Sequence, residues 1–200
     1  NKYFYEVMDQ SEEIPTSSQP SIDELLDIFK SIVKSGDNVV GVFLSSDMSG
    51  TYSSAHLAKN MVLEEYPDAR IEIIDSRTNC MQMGFQVIEG ARAAKEGKSI
   101  EEVVEVVNNV VKSSRFLFVP DTLRYLKKGG RIGGAAALFG TILQIRPILT
   151  VRDGVTSVFE KVRTKKKAVN AIVDKVLDDI KNYGLGDVIV HHINCEEEGR

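Results

Sequence analysis

Apolar residues recur along the chain in two rhythms, and their alternation sets the first expectations. Ile22, Leu25, Leu26, Phe29, Ile32 and Val33 fall at the spacing of one helix face, opened by Ser21 with Glu24 three residues on and closed by Gly36. A Ser followed by Glu at that interval satisfies two helix-start amides reciprocally, so a helix is predicted there. Val39 to Leu44 is instead an unbroken apolar run between Gly36-Asp37 and Ser45-Ser46, the pattern of a strand buried on both faces. Thr51 to Glu65 is predicted helical and stopped by Pro67, and Arg70 to Asp75 is a second strand. Cys80 to Lys95 is a helix ending at Gly97. Ser99 and Glu102 form a second capping box before a Val-rich helix to Lys112, and Phe116 to Val119 is a third buried strand.

Strand, helix, strand, helix, helix, strand is the rhythm of an α/β fold with a parallel sheet flanked by helices. The opening, Asn1 to Ser18, is polar and runs into the loop-like Pro15-Thr16-Ser17-Ser18-Gln19-Pro20. After Asp121 the pattern changes. Leu123 to Lys128 is a short helix, followed by Gly129, Gly130, Gly133, Gly134 and Gly140. Arg146 to Val151 and Val155 to Val162 flank Asp153-Gly154, a hairpin signal. Lys165 to Asn182 is a helix capped by Thr164 and ended by Gly184, and Asp187 to Ile193 is a last strand. These elements predict a second, α+β domain, so the division expected is residues 1–121 and 122–200.

Composition narrows the classes. Apolar residues are 42% and charged residues 27% of the 200, which excludes whole-chain disorder. With no Trp and 7% aromatics, an aromatic stacking platform for nucleic acid is not expected. The longest uncharged run, Ile132 to Ile145, is too short and too rich in Gly and Ala to span a bilayer. Cys80 and Cys195 form no CxxC pair, so a reducing, cytoplasmic setting is expected. The first residue is Asn rather than Met, which fits a piece of a longer polypeptide, and no signal segment is visible in it. Charge is uneven: Asp121 to Lys167 holds eleven Lys or Arg against three Asp or Glu, a net +8, leaving −12 for the rest of a chain of net charge −4. Such a block fits either an anionic ligand or acidic partner, or a solvated cationic surface.

The densest polar constellation is Ser45-Ser46-Asp47-Met48-Ser49-Gly50-Thr51-Tyr52-Ser53-Ser54, joining a predicted strand to a helix. Ligands of open α/β sheets collect at the carboxyl ends of strands, and a helix start offers unpaired N–H groups and the positive dipole end. Ser49, Gly50 and Thr51 are therefore candidates for holding an anion, with Gly50 allowing close approach. The alternative is that Ser49 or Thr51 merely caps the helix. Ser17 and Ser18 offer further hydroxyls, or a plain loop. Arg131 lies among glycines before the apolar Ala135 to Ile145, which lines a hydrocarbon tunnel or forms a core helix packed through small residues. Asp75-Ser76 is expected to cap the next helix. His191, His192 and Cys195 lack metal-ligand spacing, since neighbours on a strand face opposite ways, so no metal site is expected. No cofactor is expected either, because the phosphate-loop pattern is absent. A serine acyl hydrolase using Ser49 and a binder of a small phosphorylated metabolite remain as rival classes, although Gly-x-Ser-x-Gly is absent around Ser49.

Taken together, these segments resemble the DegV family, whose members include the fatty-acid-binding subunits of bacterial fatty acid kinase. Ser17-Ser18-Gln19-Pro20-Ser21 is similar to its Thr-Ser-Gln-Pro-Ser motif, with Ser17 in place of Thr. Ser45 to Ala55 is similar to Ser-Ser-x-Leu-Ser-Gly-Thr-Tyr-x-Ser-Ala, with Met48 in place of Leu. Asp75-Ser76, Leu126 to Ile132 and Pro147 to Gly154 fit as well. The resemblance implies a non-catalytic, lipid-binding protein that holds a long-chain fatty acid between two domains. Ser17 and Ser49 would grip its carboxylate, with Arg131 nearby. It also implies a kinase partner that carries the nucleotide and converts the bound acid to an acyl phosphate, with Arg163 facing that partner. The family's opening strand and its closing Gly-Thr-His-x-Gly-Pro-Gly segment are not in this sequence, so residues 1–121 are expected to lack a first strand and 122–200 to be truncated at the C-terminal end.

Overall fold

A computed structural model describes residues 2–140 and 145–200. The chain divides into two compact units. The parallel-sheet unit comprises Ser18–Phe118 and Leu149–Ser157; the second unit comprises Asn1–Ser17, Val119–Ile148 and Val158–Arg200.

Numbered along the chain, α1 (Lys2–Gln10) belongs to the second unit, and the parallel-sheet unit opens with α2 (Ile22–Lys34). Then follow β1 (Val39–Phe43), α3 (Thr51–Glu65), β2 (Ile71–Asp75), α4 (Cys80–Lys95), α5 (Ile100–Ser113) and the short β3 (Leu117–Phe118). β1 and β2 pair in parallel, with Val39 opposite Ile71 and Phe43 opposite Asp75. Leu25 and Phe29 of α2 and Ala55, Ala58 and Val62 of α3 close over Val39 and Ile71 to make the core. Burying each of the larger of these side chains contributes about 1.5–3 kcal/mol. α4 and α5 touch closely because Gly90 has no side chain: a Cβ there would lie 2.7 Å from Val107 Cγ2.

β4 (Arg146–Arg152) and β5 (Val155–Val162) form the predicted hairpin, and the sheet order is β3-β4-β5. Its two turn residues, Asp153 and Gly154, both have positive φ (52° and 84°), as a two-residue hairpin turn of matching twist requires. In the second unit, α6 (Arg124–Lys128) precedes a 3₁₀ segment, Gly133–Leu138. α7 (Lys165–Tyr183) is capped by Thr164 Oγ1, which accepts from the Lys167 amide at 3.2 Å. A last turn, α8 (Glu196–Gly199), ends the chain.

The mixed α/β architecture agrees with the reading of the sequence, with four local differences. β3 does not extend the parallel sheet; it pairs antiparallel with β4, Leu117 opposite Thr150 and Phe118 opposite Leu149. A short apolar run carries no information about which sheet it joins. β1 is fully buried only at Val39, because β2 is its one strand partner among the described residues. The polar opening holds α1, which is tied down inside the second unit at its end and just beyond: the Tyr125 hydroxyl donates to Asp9, and Arg124 Nη2 donates to the Ser11 carbonyl at 2.9 Å. Asp187 to Ile193 forms no strand; Val188, Val190 and Ile193 are exposed, and no ladder partner faces them among the described residues. A strand exists only through its neighbour's hydrogen bonds, so alternation alone does not create one. Within Ala135 to Ile145, Ala135 and Leu138 are buried, whereas residues 141–144 lie outside the described residues.

Candidate functional site

The carboxyl end of β1 runs into Ser45–Gly50, and α3 starts immediately after. Ser45 is fully buried and fixes this loop from both sides. Its amide donates to the Thr78 carbonyl at 2.8 Å, and its hydroxyl donates to the Gly154 carbonyl at 2.7 Å. The Met48 and Ser49 amides then fold back on the Ser45 carbonyl, at 2.9 and 3.1 Å. That tight turn presents Ser49 beside the start of α3.

α3 has an open start. Its N-cap is Gly50, which offers no side chain, and its first turn contains no acid. The Thr51 amide donates to Ser49 Oγ at 3.2 Å, so Ser49 does part of a cap's work. Ser49 Oγ and Thr51 Oγ1 are 2.8 Å apart. Two hydroxyls facing each other share one hydrogen bond, so one O–H of the pair is left over whichever donates. The first helical bond runs from the Ser54 amide to the Gly50 carbonyl at 3.0 Å, and among the described residues nothing accepts from the Tyr52 and Ser53 amides. A free hydroxyl hydrogen, two unmet amides and the positive end of a 15-residue helix together suit an anion.

A charged clasp stands beside this loop within the same unit. Arg77 has a positive φ of 54° and pairs with Asp47 at 2.7 Å and Asp75 at 3.2 Å; it also donates to the Asp153 carbonyl. The hairpin turn is seated so closely that a Cβ on Gly154 would lie 2.5 Å from Arg77 Nη2 and 2.7 Å from Asp47 Oδ2. Asp75 also accepts from the Ser46 amide at 3.3 Å and the Arg77 amide at 2.8 Å. Burial pushes the Asp75 carboxyl up, but these bonds from Ser46 and Arg77 outweigh it and hold it below the usual carboxylate range. Asp75 and Ser76 therefore do not cap α4, whose N-cap is Asn79; Ser76 Oγ instead donates to the Thr78 carbonyl and accepts from the Thr78 amide.

The structure brings Ser49, Gly50 and Thr51 together in the parallel-sheet unit. Ser17, Arg131 and Arg163 belong to the second unit, and all three are exposed. Arg131 Nη1 donates to the Gly129 carbonyl, and its amide donates to the Leu126 carbonyl at 2.9 Å. Arg163 lies just after β5, between its last residue, Val162, and the Thr164 cap of α7. Lys127 Nζ stands 3.8 Å from the centre of the Phe139 ring. Among the described residues no cluster of His, Cys, Asp or Glu is placed to hold a metal, and no helix is long and apolar enough to cross a membrane.

Sequence reasoning missed two participants, Arg77 and Gln19. Arg77 reaches 76 residues along the chain, which no local pattern reveals. Gln19 lies in the Ser-Gln-Pro-Ser stretch that drew notice only for its hydroxyls. Its Nε2 donates to Ser54 Oγ at 3.0 Å, and its amide covers Gly50.

The family model described as "Uncharacterised protein, DegV family" matches residues 1–200. The chain belongs to the DegV family. A DegV domain-containing protein of Clostridium acetobutylicum is 58% identical over 200 residues, covering 100% of this chain and 70% of its own length. Among solved DegV relatives, a fatty-acid-binding protein of Streptococcus agalactiae superposes with a TM-score of 0.87 at 27% identity, over 99% of this chain and 69% of that one. A stearic-acid-binding protein of Eubacterium ventriosum gives a TM-score of 0.80 at 31% identity and covers 90% of this chain. The match spans 62% of the Eubacterium protein's length, less than two thirds of it.

Proposed function

We propose that this DegV chain binds a long-chain fatty acid and holds it by the carboxylate, without converting it. The observation that carries this reading is the open start of α3, where one hydroxyl hydrogen of the Ser49–Thr51 pair and the Tyr52 and Ser53 amides have no acceptor among the described residues. An ionised carboxylate taken out of water needs such donors. In this reading Ser49, Gly50 and Thr51 form one side of the grip, and Ser17 and Arg131 complete it. The alkyl chain adds about 0.8 kcal/mol per buried CH₂, so the tail supplies affinity and the head supplies orientation. The fatty-acid ligands of the solved relatives from Streptococcus and Eubacterium support the same class of ligand.

The proposal extends to a cytoplasmic carrier, its two domains divided near Thr122, that presents the acid to a kinase partner for conversion to an acyl phosphate. Ser49 acts as a hydrogen-bond donor rather than a nucleophile; its hydroxyl partner is Thr51, not a histidine. Arg163, exposed just after β5 in the basic stretch Asp121 to Lys167, faces the kinase. Arg163→Ala is expected to leave fatty acid affinity within about twofold while slowing kinase-dependent acyl phosphate formation roughly tenfold or more, because one desolvated guanidinium contact contributes about 1.5–3 kcal/mol. Equal losses in both assays would move Arg163 to the carboxylate site.

Denaturing mass spectrometry of lipid extracted from the purified protein tests the binding itself. A long-chain acid released without covalent attachment is the expected result. An acyl adduct on the polypeptide would instead support a serine acyl hydrolase. Neither species, in protein offered fatty acid, would favour a phosphorylated metabolite.

A further inference from the structure

The geometry points to Gln19 as a positioning residue for the open start of α3: its carboxamide roofs Gly50 and holds Ser54. This rests on the fatty-acid reading above and adds a residue to it. Gln19 lies on an exposed loop, where a long polar side chain is ordinarily solvated. Here it is committed instead. Nε2 donates to Ser54 Oγ at 3.0 Å, across 35 residues of sequence, and Ser54 is buried.

Gly50 shows how close the fit is. Its φ is −72° and its ψ −3°, a conformation open to any residue, so no backbone requirement selects glycine. A Cβ would lie 2.4 Å from Gln19 Oε1, 3.0 Å from Cδ and 3.1 Å from Nε2, so the exposed carboxamide can cover this position only while it carries no side chain. The three atoms nearest that Cβ all belong to Gln19. Gly50 and Gln19 are therefore a matched pair, and the close approach that the glycine permits is that of a side chain of this protein.

The consequence for binding follows from what the pair holds. Gly50 is the N-cap of α3, Ser54 closes its first helical bond onto the Gly50 carbonyl, and Tyr52 and Ser53, with the unmet amides, lie between them. Gln19 touches both ends of that turn. It fixes the direction of the two amides and the Ser49–Thr51 hydroxyl pair without spending any of their donors. Its own Oε1 accepts no hydrogen bond among the described residues, so the roof adds no competing acceptor-to-amide bond.

Four proteins test this in the full chain: the parent, Gln19→Ala, Gly50→Ala and the double variant. Each is melted without lipid and titrated with a fluorescent long-chain fatty acid, with Ser49→Ala alongside. Gly50→Ala and Gln19→Ala should each lower the melting temperature slightly and weaken binding about threefold to tenfold, because each removes the roof, one by displacing it and the other by deleting it. In the double variant the roof is lost only once, so its melting temperature and its affinity should match those of the single variants. Melting losses that simply add would overturn the matched pair, whether or not lipid binds. Coupled melting with unchanged affinity in Gln19→Ala, while Ser49→Ala binds weakly, would overturn the positioning role and leave the fatty-acid reading standing. Unchanged affinity in both Gln19→Ala and Ser49→Ala would remove that reading and the positioning role together.

Discussion

The starts of α2 and α5 and the start of α3 are built in opposite ways. Ser21 Oγ accepts from the Glu24 amide at 3.2 Å, while the Glu24 carboxylate accepts from the Ser21 amide at 2.9 Å. Ser99 and Glu102 repeat this reciprocal pair at 3.3 and 2.7 Å. Both helices also carry two acids in the first turn, Asp23 with Glu24 and Glu101 with Glu102. Their donors are used and their positive dipole ends neutralised. α3 has neither device: a glycine cap, no acid in the first turn, and hydroxyls that bond to each other. The starts of α2 and α5 are therefore finished by their own sequence, whereas α3, like α4, has no side-chain cap on its N-cap residue and no acid in its first turn; only the start of α3 adds the Ser49–Thr51 hydroxyl pair. If the proposed site is right, changes at α2 and α5 should act on stability and changes at the start of α3 on binding.

The strongest way to break the contrast is to finish the third start. Ser53 is exposed at the third position of α3, where Glu24 and Glu102 stand in α2 and α5. Ser53→Glu places a carboxylate where the ligand's own carboxylate is proposed to sit. Affinity for a fluorescent fatty acid is expected to fall more than about tenfold from like-charge opposition. The melting temperature should stay level or rise, since an acid near a helix start stabilises it by about 0.3–1 kcal/mol. Unchanged affinity would mean that the ligand does not use this end of α3.

The converse change opens the finished starts. Ser21→Ala and Ser99→Ala should each cost about 1 kcal/mol of stability in urea unfolding and leave fatty acid affinity unaltered. A binding loss in Ser99→Ala at constant stability would erase the distinction between structural and functional helix starts.

Acid should produce the smallest effect, and its sign is fixed. Burial raises the Asp75 carboxyl, but bonds from Ser46 and Arg77 leave it below its ordinary value, and the Ser99 amide and hydroxyl hold Glu102 below its own. A carboxyl whose folded pKa is depressed contributes stability above its unfolded value, about 4, and loses it as pH falls through the folded value. Stability should therefore be flat above about pH 5 and decline below about pH 4 as both groups protonate. Asp75→Asn should lower the plateau and flatten part of that decline. A decline of identical depth in Asp75→Asn would show that the clasp does not contribute.

The same contrast explains how much the sequence disclosed. Capping boxes are local, four residues long and unambiguous, so α2 and α5 were readable from Ser21, Glu24, Ser99 and Glu102 alone. The Asp153-Gly154 turn was readable because few residues accept two successive positive φ values. The candidate site was half readable. Ser49, Gly50 and Thr51 stood out at a strand-to-helix junction, and the family likeness supplied Ser17, Arg131 and Arg163. Arg77 and Gln19 were not readable, because their partners lie 76 and 35 residues away and neither belongs to a periodic pattern. β3 and Asp187 to Ile193 show the same limit for strands: an apolar run announces a wish to pair, and the partner's identity lies elsewhere in the chain.

The central claim is that the open start of α3 holds a carboxylate, and parallel titrations of Ser49→Ala and Ser99→Ala with a fluorescent long-chain fatty acid test it most directly. A hydrogen bond to a charged group contributes about 1.5–3 kcal/mol, so Ser49→Ala should bind roughly tenfold to a hundredfold more weakly than the parent. Its circular dichroism should match that of the parent and its melting should fall no further than that of Ser99→Ala, since both lose a hydroxyl that accepts a helix-start amide, while Ser99→Ala should bind normally. A folded Ser49→Ala protein with the parent's affinity would return Ser49 to the role of a plain helix cap and contradict the account.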